Sequence, residues 1–260
     1  MRLYGHIVSF NFMTYFRYPL ELIAAALKPL LEFGMVILFW SIVAVSSAGA
    51  VDFRHIIAYF LVATAVSNLV FISGLKFGSS LAKAIKSGDI SQYLVRPLPV
   101  VRFYHASLIG GMGVTYLVSL IFLVLGFVIM PPASWLAVGL FLVSLPLAVA
   151  ISYSINVLVG TVAFYFVEAS SIKNVMNHII GVFSGAMVPL TFFPGTLKTV
   201  TLALPFQAVV FGPTQALRAT TLNSQTLVSL LIAAGWAVVL GLWAAWAWRK
   251  GLRNYEAVGM

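Results

Sequence analysis

The chain has 260 residues, 62% of them hydrophobic and only 8% charged, with a mean hydropathy of +1.05. Soluble globular chains carry about 25% charged residues, so this composition excludes a soluble domain and points to an integral membrane protein. The net charge of +9 would suit a nucleic acid, but its placement along the chain argues for a membrane. The absence of cysteine excludes disulfides, thiol nucleophiles and cysteine metal sites. One helical crossing needs roughly 20 apolar residues, which leaves room for about six. The apolar runs are continuous, without the alternation that barrel strands require. The predicted fold class is all-α integral membrane, with six transmembrane helices in a single transmembrane domain spanning residues 1–260.

Residues 1–18 read as an interfacial helix. At 100° per residue Arg2, His6, Ser9 and Arg17 fall in one stripe, while Tyr4, Ile7, Val8, Phe12, Tyr15 and Phe16 give apolar cover. Asn11 lies off that stripe, and Met13 lies in it. No cleavable signal peptide is expected, because the first residues lack a compact apolar core and a small-residue cleavage site. Pro19 suits the first turn of a new helix. The first span runs from about Leu20 to Ala48 and contains Lys28, Pro29 and Glu32. The second covers about His55 to Gly74, after a short turn holding Asp52 and Arg54.

A basic interruption, residues 76–105, follows with five of the fifteen basic residues: Lys76, Lys83, Lys86, Arg96 and Arg102. The third span is expected from about Ala106 to Met130. The fourth covers about Trp135 to Phe166, with tilt or a bend near Pro146. Glu168 to Asn174 reads as a polar turn, and the fifth span as about Val175 to Phe193. Pro194-Gly195, Pro205 and Gly212-Pro213 then cut residues 194–217 into pieces too short to cross. Irregular backbone at membrane depth survives only where protein or water satisfies it, so short helices that dip in and return are expected on the outer face. The sixth span, about Thr226 to Trp248, ends in a tryptophan belt and the basic tail Arg249, Lys250 and Arg253.

Lysine and arginine placement sets the orientation. Eleven (Arg2, Arg17, Lys76, Lys83, Lys86, Arg96, Arg102, Lys173, Arg249, Lys250 and Arg253) fall on one side, against Arg54, Lys198 and Arg218 on the other. Both termini and the interruption are therefore expected in the cytoplasm, and the excess charge needs no nucleic acid.

Within the interruption, Ser87-Gly88 stops a helix, with glycine supplying the backbone freedom of a helix end. Asp89 caps a short new helix from Ile90 to Val95. Arg96-Pro97-Leu98-Pro99 ends it, since proline cannot continue a helix and restricts the residue before it. The result is a stub showing Tyr93 and Leu94 to a soluble partner; the plainer reading is a basic loop held by anionic lipid heads. Lys28 and Glu32, four apart on one helix face, form a candidate cavity pair, since charges in hydrocarbon usually face a cavity or each other. The plainer reading starts the true span near Phe33 and lets Lys28 snorkel to the head groups. Gly74-x-x-x-Gly78 and Gly181-x-x-x-Gly185 have the spacing of close helix contacts, which a chain with 20 glycines also produces by chance. No phosphate-loop motif occurs. His6, His55, His105 and His178 lack ligand spacing, and no paired carboxylates suggest acid–base chemistry. Neither a catalytic nor a metal site is expected, nor a cofactor bound by this chain.

The phrase SGDISQYLVRPLP resembles the signature of ABC-2 type transporter permeases through Gly88, Asp89, Ile90, Leu94, Arg96 and Pro97. Tyr15 to Arg17, Phe39-Trp40 and the pattern Pro194…Leu204-Pro205-Phe206…Gly212-Pro213 extend the similarity. The resemblance implies an exporter half-unit in the inner membrane. Residues around Asp89 to Arg96 would couple to a cytoplasmic ABC ATPase dimer that binds ATP and magnesium, and residues 1–18 (Arg2, His6, Arg17) would form a connecting helix. The segment 194–217 (Pro194, Gly195, Pro205, Phe206, Gly212, Pro213) would be the outer re-entrant element. A second permease, identical or related, and membrane lipids complete the implied partners, and an amphiphilic substrate such as a lipid, lipid-linked glycan, drug or peptide would move outward. A self-contained secondary transporter or channel is the competing reading. It requires inverted repeats and midplane ionisable residues; no repeat is visible, and only Lys28, Glu32 and Glu168 qualify.

Overall fold

The computed structural model describes residues 2–46, 52–72, 83–84, 87, 100–165 and 169–253. Among the described residues there is no strand. A helix satisfies its own N–H and C=O groups, whereas an open strand in hydrocarbon leaves them bare. In chain order the helices are α1 (Arg2–Arg17), α2 (Pro19–Ser46), α3 (Phe53–Ser67), α4 (Val100–Gly110) and α5 (Gly113–Ile129). They continue with α6 (Trp135–Thr161), α7 (Ala169–Phe183), α8 (Gly195–Ala203), α9 (Phe211–Ala216) and α10 (Ser224–Arg253). A π-turn, Asn68–Ile72, prolongs α3, and 3-10 turns Leu190–Phe192 and Pro205–Ala208 flank α8.

Four segments, Pro19–Ser46, Phe53–Val70, Trp135–Phe164 and Ser224–Arg253, are long and apolar enough to cross a bilayer. The two other expected crossings are shorter. The third breaks at Gly111-Met112, which leaves the 17-residue α5 as its apolar part. The fifth begins at Ala169, taking in residues expected as a polar turn, and stops at Phe183, short of the expected Phe193.

α3 is the axis of the bundle: Ala58, Phe60, Ala63, Ala65 and Val66 are almost wholly buried. It meets α5 at Gly126, where an added Cβ would lie 2.7 Å from Val62 Cγ2. Lipid tails are as apolar as leucine, so helices in a bilayer gain by close packing, and small residues permit it. α6 also buries small and polar residues, Ser152, Ser154 and Asn156, with Asn156 Nδ2 donating to Ser152 O at 2.7 Å and Ser154 Oγ beside Gly241 of α10. α2 buries only Pro29 and Trp40. Leu31, Met35, Leu38 and Ile42 stay exposed along it, a face suited to lipid or another protein.

The bundle has two unlike ends. The proximal end carries α1, α4 and the last turns of α10. Ser107 Oγ donates to Asn11 Oδ1 at 3.1 Å, and a Cβ on Gly110 would lie 2.2 Å from Val8 O. Asn11 leaves the expected polar stripe because it faces α4. Lys83 and Ala84 are helical here, Ala84 packing with Val157 and Ala244. At the distal end Asp52 caps α3, its Oδ1 accepting from Arg54 N at 2.9 Å while Oδ2 meets His55 Nδ1. The His55 contact holds the Asp52 carboxyl below the usual carboxylate range. Ala133 N donates to Leu217 O and Ser134 Oγ to Ala219 O, both at 2.9 Å.

Residues 184–188 turn the chain sharply after α7. Gly185 has φ +87°, and an added Cβ would meet Tyr59 Oη at 2.8 Å and Phe211 Cβ at 3.0 Å. It is therefore a backbone hinge, and Gly181-x-x-x-Gly185 is not a helix-contact motif. Gly185→Ala is expected to destabilise the protein by about 1–2 kcal/mol through the left-handed conformation alone, with the crowding added to that. A melting temperature in detergent equal to the wild type would refute this.

Candidate functional site

A groove of about 610 Å³ opens between α2, α3, α7 and the turn that follows α7. α2 contributes Lys28, Glu32, Met35, Phe39 and Trp40; α3 and its π-turn contribute Thr64, Ser67 and Asn68. Asn177, His178 and Gly181 come from α7, and Ala186, Met187 and Val188 from the turn. α2 and α7 run from the proximal to the distal end and α3 runs back, so the polar members gather proximally. Trp40, Phe39 and Met187 lie distally. Trp40 is fixed there by its rings against Phe60 and Phe192, with centroids 5.7 and 4.8 Å away, and by Nε1 donating to Met187 O at 3.4 Å. Twelve residues of helix separate Lys28 from Trp40, about 18 Å at 1.5 Å per residue. The groove thus has a polar end and an aromatic end, the profile of an amphiphile.

The candidate pair Lys28 and Glu32 is an ion pair, Nζ to Oε1 3.4 Å, with side chains 55% and 41% exposed. Lys28 lies 18 residues before the end of α2, about 27 Å of helix, against a hydrocarbon core about 30 Å thick. Interfacial depth and a cavity-lining position are therefore compatible. A pair this exposed contributes little to stability in water; its consequence is a fixed dipole at the polar end of the groove.

Asn68 is the residue that sequence reasoning missed. It is 1% exposed, and its Nδ2 is buried without a hydrogen-bond partner. It opens the π-turn, whose backbone geometry recurs at functional sites. His178 and Asn177 were legible only as isolated polar residues. Their recurrence with Asn174 and Gly181 at helical spacing was the available signal, obscured by the expectation that a polar turn preceded the fifth span.

Other expected site residues lie elsewhere. His6 and Arg17 are exposed on α1, and Arg2 belongs to its first turn. Pro194 and Gly195 are exposed at the start of α8, whereas Pro205 and Pro213 are buried, with Phe206 and Gly212 half-buried. Segment 194–217 is cut into helices of 9 and 6 residues, as its prolines and glycines foretold. Its later part joins the main core through Ala208, Val209, Val210, Ala216 and Leu217. Gly88, Asp89, Ile90, Tyr93, Leu94, Arg96 and Pro97 lie outside the described residues. Among the described residues no group of three or more His, Cys, Asp or Glu has a metal-site arrangement.

A protein-family model described as ABC-2 family transporter protein matches residues 30–259. A search among curated proteins finds no match.

An unsatisfied buried donor costs about 1–3 kcal/mol. Asn68→Leu, close in volume, is therefore expected to raise the melting temperature of the ligand-free protein while weakening binding of a fluorescent single-chain phospholipid. A variant that melts lower than the wild type and binds the probe equally well would overturn the assignment of Asn68 to the groove's ligand face.

Proposed function

The chain belongs to the ABC-2 family of transporter proteins, and on that premise we propose that it is the permease subunit of an ATP-driven exporter. It is a multi-pass membrane protein, and permeases of this family work with an ABC ATPase. In the proposed assembly the whole chain is one transmembrane domain that crosses the inner membrane six times, with α5 and α7 as the short crossings. The proximal end, with both termini and most of the basic residues, faces the cytoplasm, following the positive-inside rule. This chain carries no catalytic group and no cofactor; a dimer of cytoplasmic ATPase subunits binds ATP and magnesium. A second permease, identical or related, completes the channel and covers the exposed face of α2.

The observation that carries the reading is the groove with its graded polarity. An amphiphile seats its head among Lys28, Glu32, Asn68, Asn177 and His178, and its apolar part runs toward Trp40 and Met187. Closure of the ATPase dimer pushes on residues 88–97, through Asp89, Tyr93, Leu94 and Arg96. α1, with Arg2, His6 and Arg17, steadies that contact from the side. Segment 194–217 packs on the distal ends of the spans and acts as the outer gate, with Pro194-Gly195, Pro205-Phe206 and Gly212-Pro213 as its joints.

The Lys28–Glu32 pair favours a second reading, since ionisable groups inside a membrane also mark ion-coupled carriers. The test separates the two. A complex purified through this chain from its own membranes is expected to hydrolyse ATP. Arg96→Glu or Asp89→Lys is expected to remove the ATPase from the complex, with a loss of affinity of about tenfold or more, as for a broken interfacial charge contact. Substrate movement by the isolated chain in nucleotide-free vesicles would sink the exporter reading and favour the carrier.

A further inference from the structure

A second cavity, about 370 Å³, lies at the distal end, enclosed by segment 194–217, the start of α10 and the distal half of α6. Its polar wall includes Lys198, Arg218, Gln207, Asn223, Gln225 and Thr226. The described distal end carries three lysines and arginines, Arg54, Lys198 and Arg218, and two of them line this one cavity. No carboxylate lines it, and among the described residues neither cation has an acidic partner. Arg218 is held in place by the bonds that tie Leu217 and Ala219 to residues 133 and 134. Its residue surface is exposed, and partial desolvation lowers its pKa from the usual value.

Gln207 adds an independent observation. It is 1% exposed, and its Oε1 is buried without a donor. That oxygen lies beside Gly212, another lining residue, where an added Cβ would be 3.3 Å away. The wall thus offers positive charge for an anion and a vacant acceptor for a hydroxyl. Leu140, Leu202 and Phe211 supply its apolar part. Asn223, Gln225 and Thr226 stand at the start of a membrane-crossing helix, the depth of lipid head groups. Trp236 Nε1 donates to Ala203 O at 2.8 Å, tying α10 to the segment that walls the cavity. The volume is at the low end of the range of about 300–1,000 Å³ for ligand pockets, the size of a head group rather than a whole amphiphile.

We propose that this cavity binds a phosphate carried on a hydroxylated group, such as the head group of an anionic glycerophospholipid. Lys198 and Arg218 take the phosphate, and Gln207 accepts from a hydroxyl. The cavity is separate from the groove, and its occupation requires no ATPase, so its test leaves the exporter reading untouched.

The experiment measures binding to the full-length protein in a non-ionic detergent, with thermal unfolding as the stability control. Short-chain phosphatidylglycerol is expected to bind and raise the melting temperature, whereas phosphatidylcholine of equal chain length is not. Lys198→Gln and Arg218→Gln should each weaken binding about tenfold, the usual effect of losing a charge-assisted hydrogen bond, while Lys198→Arg and Arg218→Lys retain it. Gln207→Met should weaken phosphatidylglycerol but leave phosphatidic acid, which lacks the hydroxyls, unchanged. Binding of glycerol 3-phosphate with the same dependence on both cations supports the site and assigns it a soluble source. Equal affinity for phosphatidylglycerol and phosphatidylcholine, or undiminished affinity in the doubly substituted protein, overturns the proposal. Should the neutral variants melt low without ligand, the charge-preserving pair and Gln207→Met decide it.

Discussion

The turn at residues 184–188 is the constraint on which the rest of the molecule depends. α7 ends inside a protein whose surroundings offer few hydrogen bonds, so every backbone group released there needs a partner. Tyr59 donates its hydroxyl to Gly185 O at 2.8 Å, Phe211 N donates to Ser184 O at 2.8 Å, and Trp40 donates to Met187 O. In five residues the turn thereby binds α2, α3, α7 and α9 to one another. It is possible only because Gly185 takes φ +87° without a side chain. Each bond is worth about 1 kcal/mol net where water competes; in a water-poor interior an unmade one costs more.

The same turn joins the two cavities. Its far residues, Ala186 to Val188, wall the groove, and Phe211, which it anchors, walls the distal cavity. A shift of α7 against α3 must therefore move the distal segment or break those bonds. Long helices slide as rigid bodies, so a displacement applied at the proximal end arrives at this joint nearly undiminished. That joint is where a displacement at the proximal end would be passed to the distal segment.

Buried atoms without partners fall in telling places. Asn68 Nδ2 belongs to a groove-lining residue and Gln207 Oε1 to a residue of the distal cavity. The third, Ser152 Oγ, lies within α6, and nothing in the structure explains it. An apolar protein that retains an orphan amide in a cavity wall tolerates a standing cost, which a ligand carrying the complementary atom removes.

Much of this was legible in the chain itself. Continuous apolar runs with few charges dictated a helical protein in lipid, because only a helix closes its own backbone hydrogen bonds locally. Pro194-Gly195, Pro205 and Gly212-Pro213 foretold the broken distal segment, since proline and glycine act on their own turn and need no distant partner. The segregation of lysine and arginine toward one end was equally local. Contacts between distant residues decided the remainder. Asn11 lay off its stripe because α4 approaches there, α7 ended early because Gly185 meets Tyr59 and Phe211, and Asn68 became an orphan donor only when α5 and α6 packed against its turn. Composition and local stereochemistry set the solvent and the elements; the groove exists because residues more than a hundred positions apart pack within bonding distance, and no window of sequence records which of them will meet.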